Sequence, residues 1–289
     1  MPARSAGRGR STAWLGGGMR RPDTVTVVVP VLDDADQLRR CLAALARQTR
    51  LPDEVVVVDN GSSDDSAAVA SQAGARVLHE PVRAIAAAAS RGYDAATGTL
   101  IARLDSDSCP GPDWLERALR HFDDDRVVAV TGPGEFRGLG RLERAFWHVA
   151  YMRAYFALMT AALWRPPLFG SNLVIRRRAW EAVRSRVHRY DADVHDDVDL
   201  SVQLDPAWPV VLDRSLVMSV SGEPVRDLPG LVVRTRKALR TLALGGFRIL
   251  PVVRAVRRCW ATPRAVPGAV VERALGPDVV EPLEEVPAS

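Results

Sequence analysis

Hydrophobic positions in the first half of the chain fall into short, mostly β-branched runs, each followed by a polar turn and then by apolar residues three and four apart. The first run, Thr24-Val-Thr-Val-Val-Val-Pro-Val31, is long enough to cross a sheet and carries Pro30 at its end, where a missing N–H is tolerated. Asp33 or Asp34 then opens a helix whose Leu38, Cys41, Leu42 and Leu45 share one face. The pattern repeats: Glu54-Val-Val-Val-Val58 reads as a second strand that runs into Asp59-Asn-Gly and a helix from Ser63 closed at Gly74. Arg76 to Leu78 is a short third strand, Ala84 to Ala96 an Ala-rich helix closed by Gly98, and the run from Leu100 to Leu104 a fourth strand. Pro112 takes the first helical position of a helix with Trp114, Leu115, Ala118 and Leu119 on its apolar face, and Val127 to Val130 is a further strand. Strands alternating with helices predict an α/β protein with a mostly parallel, doubly wound sheet through about Thr131, helices covering both faces.

The longest apolar stretch, Arg141 to Trp164, places Leu142, Ala145, Val149, Met152, Phe156, Met159 and Leu163 three and four apart and predicts one long helix. His148 and Arg153 interrupt it, which argues against a membrane span and for a helix laid on the sheet. Trp147, Tyr151, Tyr155 and Trp164 are either core or an aromatic wall for a lipid-linked or glycan acceptor. After Gly230, Leu231 to Leu250 carries Arg234, Arg236, Lys237, Arg240 and Arg248 among Leu and Val. This is a basic helix that lies on an anionic membrane surface or engages a polyprenyl phosphate, or else a solvated basic face packed on the preceding domain. The expected organisation is a disordered segment at 1–22, with Met19 a second candidate start; one domain at 23–223, with halves 23–131 and 132–223; and a basic helical, then Pro-rich and loosely structured extension at 224–289.

Composition changes this picture little. A hydrophobic content of 47% in 289 residues supports a sizeable core, and 26% charged residues is ordinary. A net charge of +4 is too mild to argue for nucleic acid, and with Lys237 the single lysine the arginine excess reads as compositional bias. Cys41, Cys109 and Cys259 are odd in number and lack metal-ligand spacing, which suits a reducing, cytoplasmic setting. No apolar signal core occupies residues 1–22.

The candidate chemistry lies where strands stop in acids. No Gly-rich turn follows the first strand, so neither a dinucleotide fold nor a P-loop is available there. Asp59 at its strand end is placed to meet a base or ribose, or simply belongs to a well-capped βα loop. Asp105-Ser-Asp107 offers two carboxylates around one point, a seat for a hard divalent cation on phosphate oxygens, or else a strand end that caps the next helix.

Taken together, Val27-Val-Val-Pro-Val-Leu-Asp-Asp34, Val55-Val-Val-Val-Asp-Asn-Gly-Ser-Ser-Asp64, Leu104-Asp-Ser-Asp107, Phe169-Gly-Ser-Asn-Leu-Val-Ile-Arg176 and Asp196-Asp-Val-Asp-Leu200 resemble, in order, the motifs of the family 2 glycosyltransferases. The resemblance covers roughly Thr24 to Ser221 and implies a single-domain GT-A type fold. It also implies an inverting transfer from a nucleoside-diphosphate sugar, UDP-sugar favoured, to an acceptor hydroxyl, lipid-linked or on a glycan. By it, Pro30, Asp34, Asp59 and Asp105 belong to the nucleotide side, and Asp107 with Asp105 to a Mn2+ or Mg2+ site. Asp197 is the general base beside Asp196, which stands where relatives usually carry Glu. Gly170 and Asn172, with Trp147 from the aromatic stretch, fall on the acceptor or donor-sugar side. Asp196, Asp197 and Asp199 are spaced for like-charge coupling that raises one pKa, or form only an acidic first helical turn. Where many relatives carry Ala-Arg-Asn before a Gly, this chain has Ala88-Ala-Ser-Arg-Gly92, leaving Arg91 or Arg103 to substitute. Leu216 to Glu223 lacks the late histidine some members add to the metal, and His195 is either a ligand or a histidine that supports the site from outside. The implied setting is cytoplasmic, either soluble or peripheral on the inner face of the membrane, with no nucleic acid partner. The rival readings are a nucleotide-sugar-binding scaffold without activity, and a sugar nucleotidyltransferase, for which the basic Gly-rich loop is missing.

Overall fold

The computed structural model describes residues 23–246 with Val253 and Arg254. The expectations for residues 1–22, Arg248, Cys259 and the Pro-rich tail lie outside the described residues.

Seven strands form the main sheet in the order β3-β2-β1-β4-β8-β6-β9. In its interior β1 (Val25–Val31), third in that order, is buried along its whole length, because helices cover both faces. Its residues alternate with the period of two that a strand imposes. Val25, Val27, Val29 and Val31 pack with Leu38, Cys41 and Leu42 of α1 (Ala35–Leu45). Val28 instead joins Val56 and Val58 of β2 (Glu54–Asp59) against the helix that precedes β4. Around β1 stand, in chain order, α2 (Ser66–Gln72), β3 (Arg76–His79), α3 (Ile85–Ala95) and β4 (Leu100–Arg103). β1 pairs parallel with both β2 and β4. Pro30 sits inside this ladder opposite Val58, beyond the last β1–β4 pair at Val28, where no neighbour requires its missing N–H.

The chain continues through β5 (Cys109–Pro110), α4 (Trp114–Arg120), β6 (Ala129–Thr131) and β7 (Gly134–Arg137). Pro112 lies ahead of α4 in a turn rather than at its first position. The stretch from Arg141 is not one helix: α5 (Arg141–Trp147) and α6 (Ala154–Leu163) are separated by a π-helical segment, His148–Arg153. The wider π turn rotates the apolar face, so Met152, Phe156, Met159 and Leu163 are buried while Leu142 and Val149 are 86% and 54% exposed. β8 (Leu173–Arg176) then runs antiparallel between β4 and β6, the one reversal in an otherwise parallel sheet, with β9 (Val210–Leu212) at the far edge. Between these, α7 (Arg177–Val183) and α8 (Asp196–Gln203) supply Trp180 and Leu200 to the core on the α3 side.

Residues 216–223 contribute β10 (Met218–Ser221), which joins a second sheet of order β5-β10-β7. After α9 (Glu223–Arg226), α10 (Leu228–Leu244) packs on α8, with Ala238 and Leu242 against Val198 and Val202. The basic segment therefore begins at Leu228 and rests on the preceding domain through one face; its last predicted residues, from 247, are outside the described region. Among the described residues no helix is long and apolar enough to cross a membrane.

Candidate active site

The parallel strands β1, β2 and β4 end on one edge of the sheet, which brings their acid-bearing loops together in the crevice where α/β sheets hold ligands. Asp34 precedes α1 but does not cap it with its side chain. The free Ala35 amide donates to Asp64 at 2.9 Å, and Asp34 is released to accept the Ser106 hydroxyl at 2.7 Å. Burial pushes the Asp34 carboxyl up, partly offset by that hydrogen bond. Asp59, opposite Val31 in the ladder, accepts the Ser62 amide at 2.9 Å. Asn60 fixes the same loop by donating to the carbonyls of Glu80 and Val82 at 2.9 and 2.7 Å.

Because β8 is antiparallel, its amino end meets the carboxyl end of β4: Arg103 pairs with Leu173 in register. The residues just before β8 therefore reach the Asp105 loop. The Ser171 hydroxyl donates to Asp105, while the Gly170 amide donates to Asp197 at 2.8 Å. Arg103, only 2% exposed, lies between the two groups, donating to Asp105 at 2.9 Å and to Asp196. A Cβ at Gly170 would stand 2.9 Å from the Arg103 Nη1, so a larger residue here would displace the guanidinium from its two carboxylates.

Asp107 accepts the Ser221 amide at 3.1 Å, and Arg137 donates to its main-chain carbonyl at 2.5 Å. Burial, then the neighbouring Asp105, raise the Asp107 carboxyl to about 6. Two crowded carboxylates with this strain are the hard oxygen donors a Mn2+ or Mg2+ ion takes, and a dication would relieve their mutual repulsion. Asp105 has oxygens committed to Arg103 and Ser171, so Asp107 is the better-placed ligand of the two. A second group, His195, Asp196 and Asp197, places potential ligand atoms within 4.8 Å of one another, but Asp196 is held by Arg103.

α8 begins at Asp196, so the acidic first turn and the facing pair are the same feature. His195 Nδ1 lies 2.6 Å from Asp197. Burial would push this imidazole down, but Asp197 and Asp196 outweigh it and raise the ring to about 9. Burial likewise opposes the Asp197 charge, yet His195, Arg103 and the Gly170 amide hold its carboxyl below the ordinary range. Burial dominates at Asp196 and raises it despite Arg103. Asp199 does not share this pair's surroundings: it accepts the His188 amide at 2.6 Å and binds the loop before α8.

A cavity of about 280 Å³ joins the Asp105–Asp107 loop to the start of α8, with Arg103, Asp105, Asp107, Asp196, Asp197 and Gly170 in its wall. Seven expected residues do not line it, Asp34, Asp59 and Trp164 among them. Pro30 is inside the sheet. Asn172 is fully buried and spends its amide on the scaffold, accepting from Trp114 at 2.8 Å and donating to the Leu216 carbonyl at 2.6 Å. Trp147 packs against the core and Phe146, while Tyr155 is half-buried against the core and donates to the Leu168 carbonyl at 3.1 Å. Of the expected aromatic wall, only Tyr151 faces the cavity, beside Phe136 and Phe169. Of the two arginines expected to substitute, Arg91 is exposed on α3 and Arg103 is in the site. Sequence reasoning missed the Arg103–Asp196 pair, Ser171, and Arg234 and Lys237, which reach the cavity from α10. Arg103 carried a signal, since an arginine inside an apolar strand run must find buried acceptors, carboxylates or main-chain carbonyls.

Residues 26–183 match the model of the family described as glycosyl transferase family 2. Glycosyltransferase AglE of Haloferax volcanii is 32% identical over 120 residues, 39% of this chain and 40% of AglE. The pre-mycofactocin glycosyltransferase of Mycobacterium tuberculosis is 43% identical over 113 residues, 37% of this chain and 23% of its own length. The chain thus spans less than half the length of these curated relatives. Among solved structures, glucosyl-3-phosphoglycerate synthase of M. tuberculosis in complex with Mn2+, UDP-glucose and phosphoglyceric acid superposes with a TM-score of 0.58 at 22% identity. That likeness covers 77% of this chain and 79% of the synthase, and it establishes a shared fold.

Proposed function

Since the chain belongs to glycosyl transferase family 2 and has the GT-A type fold, we propose that it moves a sugar from a nucleoside-diphosphate sugar to an acceptor hydroxyl with inversion. The observation that carries this reading is the convergence of Asp34, Asp59, Asp105 and Asp107 on one sheet edge, with Asp105 tied through Arg103 to Asp196 beside Asp197. UDP is favoured as the nucleotide, in line with the UDP-glucose bound by the mycobacterial synthase, and the Mn2+ in that structure supports a divalent cation.

In this reading Asp34 and Asp59 hold the ribose and base, with their loops fixed by Ser106, Ser62 and Asn60. Asp107, with Asp105 next to it, holds Mn2+ or Mg2+, which when bound supplies Lewis-acid neutralisation of the leaving diphosphate. Asp105 keeps its orientation through Ser171 and Arg103. Asp197 is the base: it is charged at neutral pH, its second oxygen is oriented by the Gly170 amide, and it lines the cavity an acceptor enters. Asp196 is pinned by Arg103 and positions the helix start rather than taking the proton. Removal of the acceptor proton as the new bond forms contributes on the order of 10²–10⁴-fold. A lipid-linked or glycan acceptor and a peripheral site on the inner membrane face belong to the same reading, supported by the exposed Val232 and Leu239 beside Arg236 on α10.

The test is Asp197→Asn, assayed for UDP release from UDP-sugars with Mn2+ over an acceptor panel, with UDP affinity measured alongside. We expect turnover to fall at least about 100-fold while UDP affinity is kept. Unchanged turnover refutes the base assignment, and UDP bound without turnover by the wild type marks a scaffold instead.

A further inference from the structure

α10 sets Arg234, Lys237, Ala238 and Thr241 on one face, at the three- and four-residue spacing of a helix. That face is the one seated on the domain. Thr241 is 1% exposed and accepts the His195 amide at 2.8 Å, and Ala238 packs on α8. A helix face seated on a core is normally apolar. Arg234 and Lys237 break that rule, and both line the cavity that holds Asp105, Asp107, Asp196 and Asp197.

The other charged side chains in that wall are accounted for. Arg103 is neutralised by Asp105 and Asp196, and His195 contacts Asp197 at 2.6 Å. Asp107, in the proposed reading, belongs to the metal. Arg234 donates to the Pro224 carbonyl, but neither it nor Lys237 is ion-paired among the described residues. The outward arginines of the same region behave differently: Arg240 is paired with Asp191 at 2.9 Å and Arg226 with Glu143 at 2.6 Å. Arg236, exposed on the same helix, has no ion pair among the described residues, but solvent screens it; Arg234 and Lys237 are half-buried, where an absent counter-ion costs more.

We propose that Arg234 and Lys237 form an anion subsite for a phosphate group carried by the acceptor, so that this site glycosylates a phosphate-bearing hydroxyl compound. Their helix is packed on α8, which carries Asp196 and Asp197, and not on the strand edge that carries Asp34 and Asp59. A sugar-bearing donor diphosphate, its divalent cation and Asp107 sum to about −1, so the two helix cations together exceed what the donor needs and leave positive charge for a second anion. This inference rests on the transferase reading.

The experiment uses the full chain saturated with UDP and Mn2+, titrated calorimetrically with glycerol 3-phosphate, dodecyl phosphate and glycerol. Both phosphates should bind and glycerol should not. The double variant Arg234→Gln/Lys237→Gln should lose at least about tenfold in phosphate affinity, Lys237→Arg should keep it, and UDP affinity should be unchanged in both. Tighter binding of dodecyl phosphate supports a lipid-borne phosphate, and equal binding a soluble one. Phosphates that bind no better than glycerol while UDP still binds overturn the subsite alone. Loss of UDP affinity in the double variant overturns it too, by assigning the cations to the donor. If UDP fails to bind the wild type, the transferase reading falls and takes the subsite with it. An unchanged urea midpoint in the double variant, or retention by Lys237→Arg, separates lost charge from lost fold.

Discussion

Arg103→Ala is the substitution whose cost follows most directly from the geometry. The guanidinium is 2% exposed and serves two carboxylates, Asp105 at 2.9 Å and Asp196. Its removal leaves both acids in place with no cation between them, one of them in a position where burial already raises its pKa. Removing one partner of a buried pair typically costs about 3–5 kcal/mol, a large share of the roughly 5–15 kcal/mol that holds a domain together. With a urea slope of about 2 kcal/mol per molar, the unfolding midpoint should fall by about 2 M at pH 7.5. The sign of the pH dependence is a stricter check. The orphaned acids acquire folded-state pKa values above the unfolded value of about 3.9, so their penalty is absent below that value and grows as pH rises through the folded pKa. The gap to wild type should therefore narrow between pH 7.5 and pH 4.5. Pairing Arg103→Ala with Asp196→Ala should cost less than the sum of the two, because the second change removes a charge the first one stranded. A gap below about 1 kcal/mol at pH 7.5, or one that does not change with pH, would refute the buried clamp.

Two further substitutions test neighbouring features. Asp107→Asn, measured in chelator, should stabilise the protein at pH 7.5 by about 1–3 kcal/mol, since a carboxyl raised to about 6 gives up that much on ionising. The gain should vanish toward pH 3, below the unfolded value of about 3.9, where the wild-type carboxyl is protonated in both states, and Mn2+-dependent UDP binding should be lost; a destabilised variant contradicts the crowding of Asp105 and Asp107. Gly92→Ala places a Cβ 2.2 Å from Val28 Cγ1 and 3.1 Å from Val58 Cγ2, where α3 lies flush on the sheet. Overpacking at the upper end of about 3 kcal/mol exceeds the helix-propensity gain of about 1 kcal/mol, so a net loss of about 2 kcal/mol is expected, and a midpoint at or above wild type would show that α3 can lift away freely.

The strands that build the crevice are legible because their signal is local. Val25–Val31, Glu54–Asp59 and Leu100–Arg103 are apolar runs with polar ends, and burial on both faces makes such runs nearly continuous. Strand direction carries no such signal: nothing in Leu173–Arg176 states that it runs antiparallel, yet that reversal is what delivers Gly170 and Ser171 to Asp105 and Asp197. Direction within the segment was hidden as well. Ser171 turns its side chain to Asp105, while the next residue, Asn172, turns its own to Trp114 and Leu216. Adjacent motif residues thus fall on opposite sides of the wall. The second sheet was illegible because Cys109–Pro110 and Gly134–Arg137 are too short to show a period. The π-helical turn at His148–Arg153 defeated a strictly helical reading of the aromatic stretch.

The absent arginine of α3 ties these observations together. Ala86 to Ala89 and Gly92 are small because that helix is pressed against Val28 and Val58, and a long cation at position 89, which is buried at 2% exposure, would have no room. A cation enters the crevice from β4 instead, as Arg103, and its position in a buried strand changes what it can do. An arginine at a helix surface is free to meet a ligand, whereas one enclosed by Asp105 and Asp196 is committed to joining the Asp105 loop to the start of α8. The site thereby gains a rigid link between two of its acidic elements and loses a cation for incoming phosphate. The cavity-lining cations left without an acidic partner among the described residues are Arg234 and Lys237, so anion recognition in this chain falls to α10 rather than to α3.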